Sequence, residues 1–333
     1  MADTLHALQN GSDIRGVALA LPGGKPVNLT EQAVEDIAAA FVRWLTRQKG
    51  DRAPLRIGVG HDSRLTADAL TRAALRGLTG QGATAVDCGL ASTPAMYMGT
   101  VFPETGFDGA IMLTASHLPK ERNGMKFFLP AGGLEKEQIT ALLDLAETSA
   151  PDAPAPGKVE QADLMGLYSA HLRRAIVRGS GRGERPLKGL HIVVDAGNGA
   201  GGFFVEEVLE PLGCDCTGSQ YLDPDGNFPN HIPNPEDRTA MAAIREAVVA
   251  HKAHLGLIFD TDVDRMSAVL PGGVEVNRDA IIALTAAILA PDHPHPRPEL
   301  KKQQLTRPHR PQELIHPPAP SEKEGDIAQL RGA

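Results

Sequence analysis

Cysteine is scarce and odd in number along the 333 residues: Cys88, Cys214 and Cys216. Three cysteines build no even disulfide framework, which points to a reducing compartment. Cys214-x-Cys216 has no partner Cys or His group at zinc spacing, so both read as small buried residues. Long apolar runs are lacking too. The longest, Ala280 to Ala290, has 11 residues, where a membrane span needs about 20; it reads as a core helix. Blocks of like charge are missing and the net charge is −8, which argues against nucleic acid or an anionic membrane as partner. The first residues carry no charged-then-apolar signal pattern and little Arg/Ser bias. A cytoplasmic or other soluble reducing compartment is the expectation, with a plastid left open should a transit segment precede Met1.

The length exceeds what one ordinary core fills, so two domains or more are expected. From Thr30 to Lys49 the apolar set Val34, Ile37, Ala38, Phe41 and Leu45 recurs at helical spacing, with Glu31, Glu35 and Asp36 near the end whose dipole favours acids. Strands from Leu55 to Val59 and Ala85 to Cys88 alternate with helices from Thr66 to Leu78, Thr93 to Val101 and Leu134 to Thr148. That alternation signals an α/β layer architecture. Ala150 to Gly157 is the clearest linker. Beyond it the pattern predicts a helix from Asp163 to Val177, a strand from Leu190 to Val194 and a helix from Phe203 to Leu212. Strands from His254 to Phe259 and Met266 to Leu270 follow, then a helix from Arg278 to Ala290. Between Pro291 and Pro320 nine prolines and four histidines stand without period, which reads as disorder.

Four loops carry the chemistry. Ser12-Asp13-Ile14-Arg15-Gly16 reads as an N-terminal loop. In the second, an apolar run, Ala110 to Leu113, ends in Thr114-Ala115-Ser116-His117. A second run, Met125 to Leu129, follows Asn123-Gly124, a pair that supports positive φ and ends regular structure. Ser116, His117 and Lys126 are there a nucleophile, an acid or base and a phosphate-sized cation. Asn227 to Pro235 is rigid and irregular, because its three prolines remove backbone donors. The fourth loop, Asp260-Thr261-Asp262-Val263-Asp264-Arg265, sets three carboxylates at i, i+2 and i+4 after a strand. Like charges this close repel unless a cation compensates, and oxygen-only ligands suit Mg²⁺ or Ca²⁺. An EF-hand is excluded, since its sixth position would be Arg265 and its twelfth Pro271. Gly197, Gly199 and Gly202 also satisfy G-x-G-x-x-G between strand and helix, which leaves a dinucleotide site or a close-packed glycine turn.

Taken together these loops resemble the α-D-phosphohexomutases, the phosphoglucomutase/phosphomannomutase superfamily. Thr114 to Pro119 with Asn123-Gly124-x-Lys126 resembles the family's phosphoserine loop, and Asp260-x-Asp262-x-Asp264-Arg265 its metal loop. Ser12 to Gly16, Val194-Asp195-x-x-Asn198-Gly199 and Phe228 to Pro235 fit in the expected order, over about residues 10 to 290. The resemblance implies two complete mixed-sheet domains, the start of a third and a disordered tail. The divisions are 1–150, a linker at 151–158, then 159–271, 272–290 and 291–333. It implies that Ser116 carries the phosphoryl group moved between O1 and O6 of a hexose phosphate through a hexose 1,6-bisphosphate, which also serves as activator. One Mg²⁺ would be held by Asp260, Asp262, Asp264 and the Ser116 phosphate. Arg15, His117 and Lys126 would act in catalysis, and Ser12, Arg15, Lys126 and Arg265 would bind phosphate.

Two departures stand out. Thr261 and Val263 occupy positions where the family commonly has glycine; Val263 tolerates positive φ poorly, so the loop is expected to keep ordinary backbone angles. The family's Gly-Glu-x-Ser-Gly and Arg-x-Ser-Gly-Thr type motifs are absent, and the resemblance fails from Pro291. A truncation or aberrant gene product with little mutase turnover is therefore expected, as a monomer or as a weak oligomer through an exposed third-domain helix. Glucose and mannose are not distinguished. Three alternatives remain: a haloacid-dehalogenase-type phosphatase with Asp260 as nucleophile, a nicotinamide-dependent enzyme, and a non-catalytic fragment that binds metal and phosphosugar.

Overall fold

The computed structural model describes residues 4–49, 54–148, 153 and 155–289. The described residues up to Ile281 form one compact unit, and the described residues from Ile282 to Leu289 group separately.

After a 3-10 turn at Leu5–Leu8, strands β1 (Gln9–Asn10) and β2 (Asp13–Val17) form a hairpin. The Ser12–Gly16 stretch is thus mostly strand rather than loop. Next come α1 (Glu31–Lys49), β3 (Arg56–His61), α2 (Ala67–Gly80), β4 (Thr84–Leu90), α3 (Thr93–Gly99) and β5 (Gly109–Leu113). Then follow β6 (Arg122–Leu129), β7 (Gly132–Gly133), α4 (Lys136–Ala146) and β8 (Val159–Gln161). The sheet runs β1-β2-β6-β5-β3-β4-β8, with β7 on β6. Strands β5, β3, β4 and β8 are mutually parallel, while β2 and β6 are antiparallel to their neighbours. Side chains alternate across the pleat. Ile111 and Leu113 of β5 therefore join Ile37, Phe41 and Leu45 of α1 and the apolar faces of α2 and α4. Ala110 and Met112 face the other way, with Met96 of α3 and Leu164. A strand buried on both faces reads as a continuous apolar run, and Ala110 to Leu113 is one.

Two readings are corrected here. Asn123-Gly124 is no turn: both lie inside β6, and Gly124 pairs with Arg15. A Cβ at Gly124 would lie 2.2 Å from Ile14 O and 2.8 Å from Thr114 O, so glycine serves close strand approach instead. Residues 159–161, assigned above to the second domain, pair with β4 in the first sheet. Before them, Ala153 N–H donates to Gly80 O and Gly157 N–H to Thr79 O, each at 2.8 Å.

Helix α5 (Leu164–Ser180), with Asp163 accepting from Gly166 N, contacts both α3 and the π-helix below. Strand β9 (Ile192–Asp195) leads through a 3-10 turn, Ala200–Gly202, into that π-helix, Phe204–Leu209. The helix expected from Phe203 to Leu212 is thus wound wider, and Glu210 N–H reaches back to Val205 O at 3.0 Å. Its Val205 and Leu209 cover Ile192, Val194 and Phe259. Helix α6 (Arg238–His251), β10 (Leu255–Phe259), β11 (Met266–Leu270) and β12 (Val274–Glu275) complete a sheet of order β12-β11-β10-β9. Only β9 and β10 are parallel in it. The opposite face packs on α6 through Ala240, Ile244 and Val248. Cys214 and Cys216 are buried and free.

Helix α7 (Arg278–Leu289) is not a core helix: Ile282, Leu284 and Ile288 are exposed. The Pro/His-rich tail lies outside the described residues. Among those residues no helix is long and apolar enough to cross a membrane.

Candidate active site

Ser116 stands in the turn after β5, its φ at +50°. The left-handed region costs a non-glycine residue about 1–2 kcal/mol, and such strain collects at functional sites. A buried network holds it there. Ser116 N–H donates to Thr114 Oγ1 at 2.8 Å, and the Thr114 hydroxyl to Asp62 Oδ2 at 2.7 Å. Arg64, 2% exposed, donates to four carbonyl oxygens: Ser116 at 2.5 Å, Leu118 at 2.7 Å, Pro119 at 2.8 Å and Arg122 at 2.9 Å. Its Nε lies 3.3 Å from Asp62 Oδ2. Burial draws the Arg64 pKa down while Asp62 opposes it, and a guanidinium so far above neutrality stays charged. Sequence reasoning misses Asp62 and Arg64. The available signal is His61-Asp62-Ser63-Arg64 at the carboxyl end of a buried parallel strand, where α/β sheets place their sites.

Strand β10 delivers the acidic loop. One carboxylate oxygen from each of Asp260, Asp262 and Asp264 lies within 4.8 Å of the others, the first two buried and the third exposed. Lys126 Nζ donates to Asp262 Oδ2 at 2.8 Å and to Asp264 Oδ2 at 2.6 Å, so an ammonium supplies part of the compensating charge. Thr93, at the start of α3, donates its hydroxyl to Asp262 Oδ2 at 2.6 Å and its N–H to Asp262 O at 2.8 Å. Asp262 Oδ1 is buried without a hydrogen-bond partner. Such an orphan costs about 1–3 kcal/mol, and an oxygen-liganded divalent cation would satisfy it. Burial, with the charges of Asp262 and Asp264, pushes Asp260 up to about 8. Burial also pushes Asp262 up, but the Lys126 ammonium beside it prevails and holds it below the usual range. Lys126 is lowered by burial and raised further by the two carboxylates. A cation among the three oxygens would reverse the direction at Asp260.

The expectation of ordinary backbone angles fails at Val263, whose φ is +63°. The loop folds back tightly, with Val263 N–H to Asp260 O at 3.2 Å and Arg265 N–H to Asp260 Oδ1 at 3.1 Å. Closing that turn demands a left-handed residue, and the valine sits there against its preference.

The two loops meet. Ser116 Oγ–H donates to Asp260 Oδ2 at 2.6 Å, and His117 Nδ1 lies 3.4 Å from the same Oγ. Burial and the nearby Arg265 and Arg15 charges lower the His117 pKa, which favours neutral imidazole. Arg15 reaches Thr114 O and Asp13 Oδ2, each at 2.8 Å. Arg265 is more open, its Nε 4.0 Å from Asp264 Oδ1. Ser12 is exposed in the β1–β2 turn, and its hydroxyl makes no hydrogen bond among the described residues. So direct contacts join Ser116 and His117 to Asp260, and Lys126 to Asp262 and Asp264, while Arg265 adjoins Asp264 and Arg15 holds the Thr114 carbonyl; no hydrogen bond among the described residues ties Ser12 to them.

Two alternatives lose their footing. A Cβ at Gly199 would lie 2.7 Å from Thr261 O, and one at Gly202 2.3 Å from Leu222 O. Protein backbone, not open space for a pyrophosphate, faces those glycines. Asp260 accepts from Ser116 Oγ and from Arg265 N, so its carboxylate is tied to the serine turn as a partner of that hydroxyl.

Fold and site define a two-sheet α/β protein in which a strained serine loop faces an acidic, cation-compatible loop. Residues 6–151 match the model of phosphoglucomutase/phosphomannomutase alpha/beta/alpha domain I, and residues 168–273 that of domain II. The chain belongs to the phosphoglucomutase/phosphomannomutase family. It is 34% identical over 256 residues to a phosphomannomutase/phosphoglucomutase of Pseudomonas aeruginosa, covering 76% of this chain and 53% of that protein. A phosphoglucomutase of Neisseria gonorrhoeae is 32% identical over 288 residues, covering 86% of this chain and 58% of its own length. The crystal structure of a family protein from Burkholderia thailandensis superposes with a TM-score of 0.72 at 28% identity, over 87% of this chain and 60% of that one. The chain thus spans somewhat more than half the length of the curated relatives it matches.

Proposed function

We propose that this chain supplies the phosphoryl-carrying side of a phosphohexomutase cleft, for transfer between O1 and O6 of glucose or mannose phosphate. The observation that carries the reading is the hydrogen bond from Ser116 Oγ to Asp260. It places a serine hydroxyl beside carboxylates of which one buried oxygen is still unpaired.

In the proposed reaction Ser116 Oγ gives a phosphoryl group to the free hydroxyl of a hexose phosphate; the P–Oγ bond breaks and a new P–O ester forms. The resulting 1,6-bisphosphate, turned over, returns its other phosphate to Ser116. His117, next to Oγ and favoured neutral, takes or gives the hydroxyl proton. Lys126, held charged by two carboxylates, together with Arg15 and Arg265, offsets the charge of the transferred group. Asp260, Asp262 and Asp264 would hold a Mg²⁺ with the Ser116 phosphate, and the ion would supply electrostatic stabilisation of developing phosphoryl charge. Helix α7 would open a third domain. With no Gly-Glu-x-Ser-Gly or Arg-x-Ser-Gly-Thr type motif among its residues, the 333-residue chain assayed alone is expected to accept phosphate but to turn over little hexose phosphate.

The test is exchange of label from radiolabelled glucose 1,6-bisphosphate into the protein with Mg²⁺ present. Acid-stable label that disappears in Ser116→Ala supports the reading. Acid-labile label that persists in Ser116→Ala and disappears in Asp260→Asn would transfer the role to an aspartyl phosphate.

A further inference from the structure

The loop from Asn227 to Pro235 is rigid by composition, and the contacts of its Phe228, Asn230 and His231 side chains go to Arg64, Asn198 and Asp195. Its contacts lie behind the site. At one end the Phe228 ring stacks under Arg64, whose Cζ is 5.5 Å from the ring centroid, and Arg64 is the residue that grips the Ser116 turn. At the other end His231 is buried against Asp195, its Nε2 3.0 and 3.1 Å from the two carboxylate oxygens. His231 Nδ1 lies 2.9 Å from Ile232 O. Both ring nitrogens face acceptors, an arrangement that favours the doubly donating, charged ring, and the Asp195 carboxylate raises its pKa against the effect of burial.

Asp195 ends β9 and opens the glycine turn. Its Oδ1 also accepts from Gly197 N at 2.9 Å and its Oδ2 from Gln220 Nε2 at 2.8 Å. Asn230 Nδ2 donates to Asn198 Oδ1 at 2.8 Å. Two residues further, Ala200 N–H donates to Thr261 O at 2.8 Å, and Gly199 is pressed against the Thr261 backbone. Thr261 is the residue between Asp260 and Asp262. A continuous path of hydrogen bonds and close backbone contact therefore runs from His231 through Asp195 and the turn to the peptide that spaces two of the proposed ligands.

We propose that the Asn227–Pro235 loop is a brace behind the site, in which the buried His231–Asp195 pair positions the glycine turn and, through it, the spacing of Asp260 and Asp262 for a divalent cation. The proposal rests on the metal reading above. His231 and Asp195 are positioning residues; neither contacts the ion or the phosphoryl group. Groups bonded directly to metal ligands typically contribute about 10–100-fold in metal affinity, which bounds from above what a pair acting through the turn contributes.

The experiment is Mn²⁺ titration of the full chain, free ion being followed by electron paramagnetic resonance, alongside thermal unfolding of each variant. His231→Gln and Asp195→Asn are expected to weaken Mn²⁺ binding by up to about tenfold, the low end for direct partners of metal ligands. The double variant should bind no worse than Asp195→Asn, because the two act as one unit. Asn230→Ala, at an exposed position that tolerates change, should weaken binding by about two- to fivefold through loss of the Asn198 contact. A purely structural role would lower the melting temperature and leave Mn²⁺ affinity as it was. Unchanged affinity in the folded variants, or in Asn230→Ala alone if the others fail to fold, overturns the brace. If the unaltered chain takes up no Mn²⁺, or Asp262→Asn binds as well as it does, the metal reading itself fails and the brace falls with it.

Discussion

Ser116 and Asp260 are 144 positions apart in the chain and 2.6 Å apart in the fold, hydroxyl to carboxylate. The contact joins the first sheet to the second, and it sets two opposing demands on Asp260. As an acceptor it is best ionised, while burial and its acidic neighbours push its pKa up to about 8.

That conflict yields a crossing. A carboxylate whose folded pKa exceeds its unfolded value loses stability as pH rises between the two. Without a divalent cation, Asp260→Asn is therefore expected to melt above the parent chain at neutral and mildly alkaline pH, with the gap closing toward pH 4. With saturating Mg²⁺ the order should invert, because only the parent gains a ligand-binding term. Melting curves at pH 5 and 8, with and without Mg²⁺, read both halves of this prediction.

Arg64 is the densest donor in the site. Arg64→Met keeps much of the volume and leaves four carbonyl groups and Asp62 without their buried cation. Breaking one side of a buried ion pair costs about 3–5 kcal/mol, and a urea transition should move accordingly. Arg64→Lys should recover little of it, since a single ammonium cannot reproduce the planar fork. Full recovery by lysine would contradict the geometry described here.

Val263 presents the reverse case. An ordinary half-buried Val→Gly change loses about 2–3 kcal/mol through burial and backbone entropy. At φ +63° the strain relieved, about 1–2 kcal/mol, offsets most of that. Val263→Gly is expected to lie within about 1 kcal/mol of the parent chain in chemical denaturation. A loss of 3 kcal/mol or more would mean that the turn is not left-handed at this residue.

His231 supplies a pH dependence of opposite sign to Asp260. Burial alone would lower its pKa, but the Asp195 carboxylate and the Ile232 carbonyl raise it above its ordinary 6.5. The stability it contributes is present in full below about pH 6.5 and lost as pH climbs through the raised value. His231→Gln should flatten the decline in melting temperature on that side, and an unchanged slope would show that the ring is not charged in the folded chain.

Much of this was legible in the residues. The alternation of apolar runs indicates the α/β layers, and the carboxylates after β10 point to a cation-compatible loop because their repulsion has few other solutions. What escaped is tertiary. Asn123-Gly124 carries a turn signature, yet its glycine is there for strand approach to Ile14 O. Val263 resists positive φ as a residue and adopts it because the loop must close on Asp260. Asp62 and Arg64 look like surface charges until the Ser116 turn wraps around them. Helix α6 was in plain view, with Asp237 as its cap and Ala240, Ile244 and Val248 on one face, but the prolines before it mask its start.

The most direct test of the account is intact-protein mass spectrometry of the full chain after incubation with a hexose 1,6-bisphosphate and Mg²⁺, followed by peptide mapping. One phosphate per chain is expected, located on Ser116, stable in acid, and missing when Mg²⁺ is chelated or Ser116 is alanine. A chain that stays unmodified, or that carries its phosphate on Asp260, would contradict it.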